Sequence, residues 1–137
     1  MTIPHPLLKT ISRILPIILW CALLSRAVAQ WSDDPTNNTP VCAARDIQEN
    51  VALIGDGSGG AIALWLDHRN SPSTSIYAEH LDASGIPTWA HDGVRIPTGS
   101  DQPAFGGAAS DGAGGVIVAW TEGRTVQGVS VTGIYVQ

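Results

Sequence analysis

Two stretches of this chain are copies of one pattern. A repeated unit limits the fold to arrays in which neighbouring units cover one another. Asp56 to Arg69 reads D-G-S-G-G-A-I-A-L-W-L-D-H-R, and Asp111 to Arg124 reads D-G-A-G-G-V-I-V-A-W-T-E-G-R. Seven of the 14 positions are identical at an offset of 55 residues, and Asp67 against Glu122 keeps its charge. Ile76-Tyr77 follows the first copy and Ile134-Tyr135 the second, after a connection three residues longer. A connection that varies in length belongs on the surface. Trp31 and Trp89 precede the two boxes at similar distances, so the unit also extends backward.

Each unit reads as β. Ala61 to Leu66 and Val116 to Trp120 are short apolar runs bounded by glycine and charge, too short for a helix. Their continuous apolarity predicts strands covered on both faces. The D-G-x-G-G boxes before them are turn chemistry, because glycine tolerates positive φ and Asp bonds its own backbone two residues on. Asn50 to Ile54 and Ala108 to Ser110 are the expected preceding arms. Ser75 to Leu81 is the next strand, Asp82 to Gly85 a turn, and Val94 to Ile96 a short fourth strand. Four short strands per unit suit a β-propeller blade. A β-sandwich or β-solenoid fits less well, because Trp recurs at one point of a long unit. The expected fold is all-β, a partial β-propeller-like array of about one and a half to two blades. A propeller typically holds about four to eight blades, and two alone leave edges and apolar faces open. Such a chain is expected to be the front of a longer array, or truncated, or assembled with copies of itself.

The first 29 residues read as a secretory signal rather than as fold. Lys9 and Arg13 mark a basic leader, Ile14 to Leu24 an apolar run, and Ala27-Val28-Ala29 a small-x-small cleavage site. The run is short for a membrane span and contains Pro16. The expected mature chain is Gln30 to Gln137, a β-repeat region secreted or held at the cell surface, with no membrane span after cleavage. It keeps four arginines and no lysine against all 12 acidic residues, a formal net charge of −8. That charge repels phosphate backbones and anionic membranes, so nucleic acid is not an expected partner. Only Cys42 remains after cleavage, so no intrachain disulfide is possible there, and a lone exported cysteine reads as buried and inert. Asn37-Asn38-Thr39 fits a glycosylation acceptor, with Pro40 following.

One pattern offers candidate binding residues. Trp65, Asp67 and Arg69, and likewise Trp120, Glu122 and Arg124, have an i, i+2, i+4 spacing that places them on one strand face. An exposed face of this kind could take a sugar, with the ring stacking and the polar pair bonding hydroxyls. The preferred reading is structural, with Arg packed on Trp and paired to the acid between blades, because active sites rarely repeat with each unit. Other chemistry is weaker. Gly55 to Gly60 resembles a serine-protease signature but carries an extra glycine, and Ala113 replaces Ser58 in the second copy. Calcium would need more oxygens than one Asp per box supplies, with Asp33, Asp34 or Asp101 joining from elsewhere. His68, His80 and His91 lack zinc spacings and read as surface or loop residues. Nothing selects a pair among the 12 carboxylates for glycoside hydrolysis. The sequence therefore assigns no catalytic residue, metal ligand set or cofactor.

The run Gln30-Trp31, Pro40-Val41-Cys42, the two D-G-x-G-G-x-I-x-x-W-x-[DE]-x-R boxes, Ile76-Tyr77-Ala78, Leu81 to Gly85, Trp89 and Gly93 to Ile96 resembles a family of bacterial exported repeat proteins. The resemblance implies a propeller-like fold, often followed by a C-terminal sorting or Ig-like domain. It implies no specific activity. The expected function is a structural or interaction module, with a carbohydrate-binding module or a glycan hydrolase built across blades as alternatives. The expected partners are other copies of the chain or a glycan.

Overall fold

The structure is a computed structural model that describes residues 31, 32, 34–96, 98–100 and 102–137. The basic leader, the apolar run and the cleavage site at Ala27 to Ala29 lie outside the described residues, as do Asp33 and Asp101.

The described chain is all-β and forms two antiparallel sheets. The first contains β1 (Gln48–Gly55), β2 (Ala61–Asn70), β3 (Ser73–Leu81) and β4 (Val94–Arg95), in that spatial order. The second contains β5 (Ala104–Ser110), β6 (Val116–Val126) and β7 (Val129–Val136), also in order. Among the described residues no helix is long and apolar enough to cross a membrane.

Several strands run longer than their apolar cores suggest. β2 continues past Leu66 because Asp67 pairs with both Gln48 and Ser75, and Asn70 pairs with Ser73. β6 likewise continues to Val126, where it pairs with Val129. Polar residues stay in these ladders because backbone pairing, rather than side-chain apolarity, sets strand length. β5 starts earlier than Ala108 and absorbs a register shift between Phe105 and Gly107. β4 is shorter than expected, although Ile96 N still donates to Ile76 O at 2.8 Å.

The main core lies between the sheets. Strand alternation puts Ile62, Leu64, Leu66, Ile76 and Ala78 on one face of the first sheet. They meet Val118 and Trp120 of the second. A smaller cluster covers the opposite face of the first sheet, where Val41 and Cys42 pack on Ala63, Trp65, Tyr77 and Leu81. β2 is thus buried on both faces from Ala61 to Asp67, as continuous apolarity predicts. β6 is not: only alternate residues Val118, Trp120 and Glu122 are buried. Its apolar run is as continuous as that of β2, but among the described residues only one of its faces meets another layer.

Candidate functional site

Strand alternation does bring the repeated Trp, acid and Arg together in each sheet. In the first, Trp65 Nε1 donates to Asp67 Oδ2 at 2.8 Å. Arg69 grips the same carboxylate with two donors, Nε to Oδ1 at 2.8 Å and Nη2 to Oδ2 at 2.6 Å. Nη2 also donates to Asp92 O at 2.8 Å, and the guanidinium lies 3.9 Å from the Tyr77 ring centroid. Tyr77 stacks on Trp65 with centroids 6.1 Å apart. The loop before β4 presses on this cluster, since a Cβ on Gly93 would stand 2.4 Å from Trp65 Cη2.

The second sheet builds the same cluster with one difference. Arg124 pairs with Glu122 and lies 3.7 Å over the Tyr135 ring, which stacks on Trp120 at 6.3 Å. Glutamate is one methylene longer than aspartate, and its carboxylate reaches Gly99 N at 2.9 Å and Ser100 N at 3.2 Å. Among the described residues no hydrogen bond of ordinary geometry reaches Trp120 Nε1, although the indole lies near enough to Glu122 to favour its carboxylate.

All six sequence candidates therefore take part in internal contacts. Trp65 and Trp120 are only 2% and 3% exposed, so neither ring offers an open face for a sugar to stack on. Asp67 and Glu122 are buried, while Arg69 and Arg124 are half-buried over their tyrosines. In the first sheet the geometry is that of a bidentate ion pair on a buried carboxylate, while in the second both Arg124 contacts meet Glu122 Oε1; each guanidinium packs on the tyrosine of the next strand and not, as expected from the sequence, on the tryptophan of its own strand.

The boxes are turns, as their composition predicts. Asp56 Oδ1 accepts from Ser58 N at 2.7 Å and Gly60 N at 2.9 Å, and Asp111 Oδ1 accepts from Ala113 N and Gly115 N at 2.7 and 2.8 Å. Asp82 repeats the arrangement with Ser84 N and Ile86 N. Ser58 Oγ donates to Asp56 Oδ2 at 2.6 Å, a turn contact rather than the nucleophile–base contact of a protease. Among the described residues no three His, Cys, Asp or Glu side chains gather in a way that could hold a metal.

Two of the histidines are not loop residues. His68 lies in β2, 3.1 Å from Glu49, and His80 lies in β3. Among the described histidines His91 is the exposed one, with Nδ1 3.0 Å from Asp92 Oδ2. His80 was not singled out by spacing, yet it joins two segments: Nε2 is 3.0 Å from Asp56 Oδ2 and Nδ1 is 2.7 Å from Thr88 Oγ1. An acid–imidazole–hydroxyl chain has the order of a nucleophilic relay. Here the neighbouring donors that could hold an oxyanion are occupied, because Thr88 N and Trp89 N both donate to Glu79 Oε1, at 3.2 and 2.7 Å. The chain ties the first box to the loop after β3. Glu79 is buried with Oε2 unpartnered, beside a cavity of about 310 Å³ lined by Val41, Cys42, Trp89 and His91. Its place two residues from Tyr77 on one strand face was legible in the sequence. Its burial was not, because it depends on the loop at Pro87 to Trp89. Cys42, at the edge of the same cavity, has its thiol pushed up by burial.

Four carboxylates, Asp56, Asp67, Asp111 and Glu122, share one electrostatic trend. Burial raises the Asp67 carboxyl, but hydrogen bonds from Arg69 and Trp65 outweigh it and hold it below the usual range. Glu122 follows the same balance, with burial opposed by Arg124, the nearby Trp120 indole and Gly99. Ser58 and His80 hold Asp56 well down, and the backbone of Ala113 and Gly115 does so for Asp111. A carboxyl whose folded pKa is depressed adds stability that is fully present above its unfolded pKa, about 4, and is lost as pH falls through the folded value. The melting temperature is therefore expected to drop steeply as pH is lowered below about 4. A flat acid limb in a thermal-melt series would contradict this.

No family model matches this chain, and no curated protein or solved structure matches it either.

Proposed function

We propose that this chain is an exported β-repeat protein, secreted or held at the cell surface, that works as a structural or interaction module rather than a catalyst. The observation carrying this reading is the burial of both Trp–acid–Arg clusters, whose carboxylates and guanidinium groups are paired within the protein in each sheet. Groups that recur with the unit and point inward serve the array. The leader, apolar run and Ala27-Val28-Ala29 support export, and the resemblance to exported repeat proteins supports a propeller-like arrangement of the sheets as blades.

The test joins location and binding. Protein recovered outside the producing cells is expected to begin at Gln30 by N-terminal mass analysis. Recovery only inside the cells, beginning at Met1, would remove the export half. A glycan array probed with the folded protein is expected to show no binding that depends on Trp65. Binding lost in Trp65→Ala, with the melting temperature retained, would replace this reading with a carbohydrate-binding module.

A further inference from the structure

From Gln30 onward the chain holds 12 acidic side chains, four arginines and no lysine. Each of these arginines is engaged away from Glu79. Arg45 donates to Arg69 O, Arg69 pairs with Asp67, Arg95 donates to Ser75 Oγ, and Arg124 pairs with Glu122. Glu79 is nevertheless only 1% exposed. Thr88 N and Trp89 N both donate to its Oε1, while Oε2 has no hydrogen-bond partner among the described residues. His91, the histidine nearest in sequence to that loop, lies against Asp92 instead. A carboxylate shut away from water with one oxygen unpaired and no cation beside it is costly, and a native fold keeps such a group for a reason.

Glu79 forms part of the wall of the cavity of about 310 Å³ between segment 40–43 and the loop at 87–92. All of the lining residues lie between 40 and 92, so the cavity is built within the first unit. Its volume is at the lower end for small-molecule sites and far larger than a bare ion needs. Among the described residues no three His, Cys, Asp or Glu side chains gather, so the donor set does not suit a metal ion. Much of the remaining wall is apolar, with Pro40, Val41, Pro87 and the Trp89 side chain, and Asp92 adds a second negative charge. Trp89 is 40% exposed and is braced by His80, whose ring centroid lies 5.9 Å from its own. His80 is in turn fixed between Asp56 Oδ2 and Thr88 Oγ1. A carboxylate, an aromatic ring and an apolar wall together suit a cation carried on carbon.

We infer that this cavity binds a small organic cation, a primary ammonium group on a short alkyl stem. The ammonium group donates to Glu79 Oε2, and the stem packs on Val41, Pro87 and the Trp89 ring. The ligand supplies the positive charge that the chain's own arginines, all committed elsewhere, do not bring to Glu79. The chain from Asp56 through His80 to Trp89 then has a role in the site: it holds the aromatic wall against which the stem lies.

This goes beyond the reading of the chain as an interaction module and does not depend on it. The test uses the protein as recovered from producing cells and dialysed, titrated with n-butylammonium chloride and followed by the NMR shifts of the Ala43 and Asp92 backbone N–H groups. A saturable shift is expected that neither sodium chloride nor 1-butanol reproduces. Glu79→Gln keeps an oxygen to accept from Thr88 N and Trp89 N, and is expected to leave the circular-dichroism spectrum unchanged while weakening binding at least about tenfold. Trp89→Leu is expected to weaken it about two- to fivefold, as loss of an exposed cation–π contact does. No saturable shift in the unaltered protein, an equal response to 1-butanol, or binding untouched by either variant would each overturn the site. Should Glu79→Gln not fold, the comparison of n-butylammonium with 1-butanol on the unaltered protein decides by itself. Recovery only inside the cells, or glycan binding through Trp65, would remove the preceding reading and leave this site standing.

Discussion

Asp67→Ala is expected to cost the fold about 3 kcal/mol or more, read as a lower urea midpoint at unchanged slope. The Asp67 side chain is fully buried and accepts from Trp65 Nε1, Arg69 Nε and Arg69 Nη2. Removing it leaves an indole N–H unpaired and a guanidinium held by Asp92 O, Cys42 Sγ and the Tyr77 ring without its carboxylate. A broken buried pair costs about 3–5 kcal/mol, mainly through the charge left behind. Arg69 keeps some contact with solvent, which places the effect at the lower end. The double variant Asp67→Ala/Arg69→Met is expected to cost less than the two single changes added together, because neither charge is then stranded. An effect of Asp67→Ala below about 1 kcal/mol would mean the cluster is a surface ion pair in energetic terms.

Trp120→Ala is expected to cost about 3–5 kcal/mol, the range for deleting a buried large aromatic. The ring fills the layer between the sheets against Ile62, Leu64 and Ile76, so the cavity opens where the two sheets meet. The two tryptophans separate packing from hydrogen bonding. Trp65 Nε1 donates to Asp67 at 2.8 Å, whereas among the described residues Trp120 Nε1 makes no hydrogen bond of ordinary geometry. Trp65→Phe is therefore expected to destabilise more than Trp120→Phe, by about the 0.5–1.5 kcal/mol of one lost hydrogen bond, since Asp67 Oδ2 keeps its bond from Arg69 Nη2. Equal losses in the two phenylalanine variants would show that Asp67 finds another donor.

Much of the local structure was legible because it is decided by near neighbours. The Asp-Gly boxes are turns for a reason contained in five residues: an aspartate accepts from N–H groups two and four positions on, where the chain reverses. Trp65, Asp67 and Arg69 share a face because a strand alternates. Tyr77 as the ring beneath Arg69 was less visible, since it sits on the next strand and its register depends on the turn between β2 and β3. His80 and Glu79 were missed for the same reason. Their partners, Asp56, Thr88 and Trp89, lie on other segments, and no spacing within β3 announces them.

The sequence alone determined the repeat, the β character of both units and the turn chemistry of the boxes, because these depend on composition and on side-chain period over a few residues. Burial was decided by the tertiary structure. The apolar runs of β2 and β6 are near copies, yet one is covered on both faces and the other on one. Nothing within either run distinguishes them, because burial depends on which layer arrives from elsewhere. Among the described residues the first sheet receives the second on one face and Val41 and Cys42 on the other, while the second sheet packs on the first through its Val118 and Trp120 face.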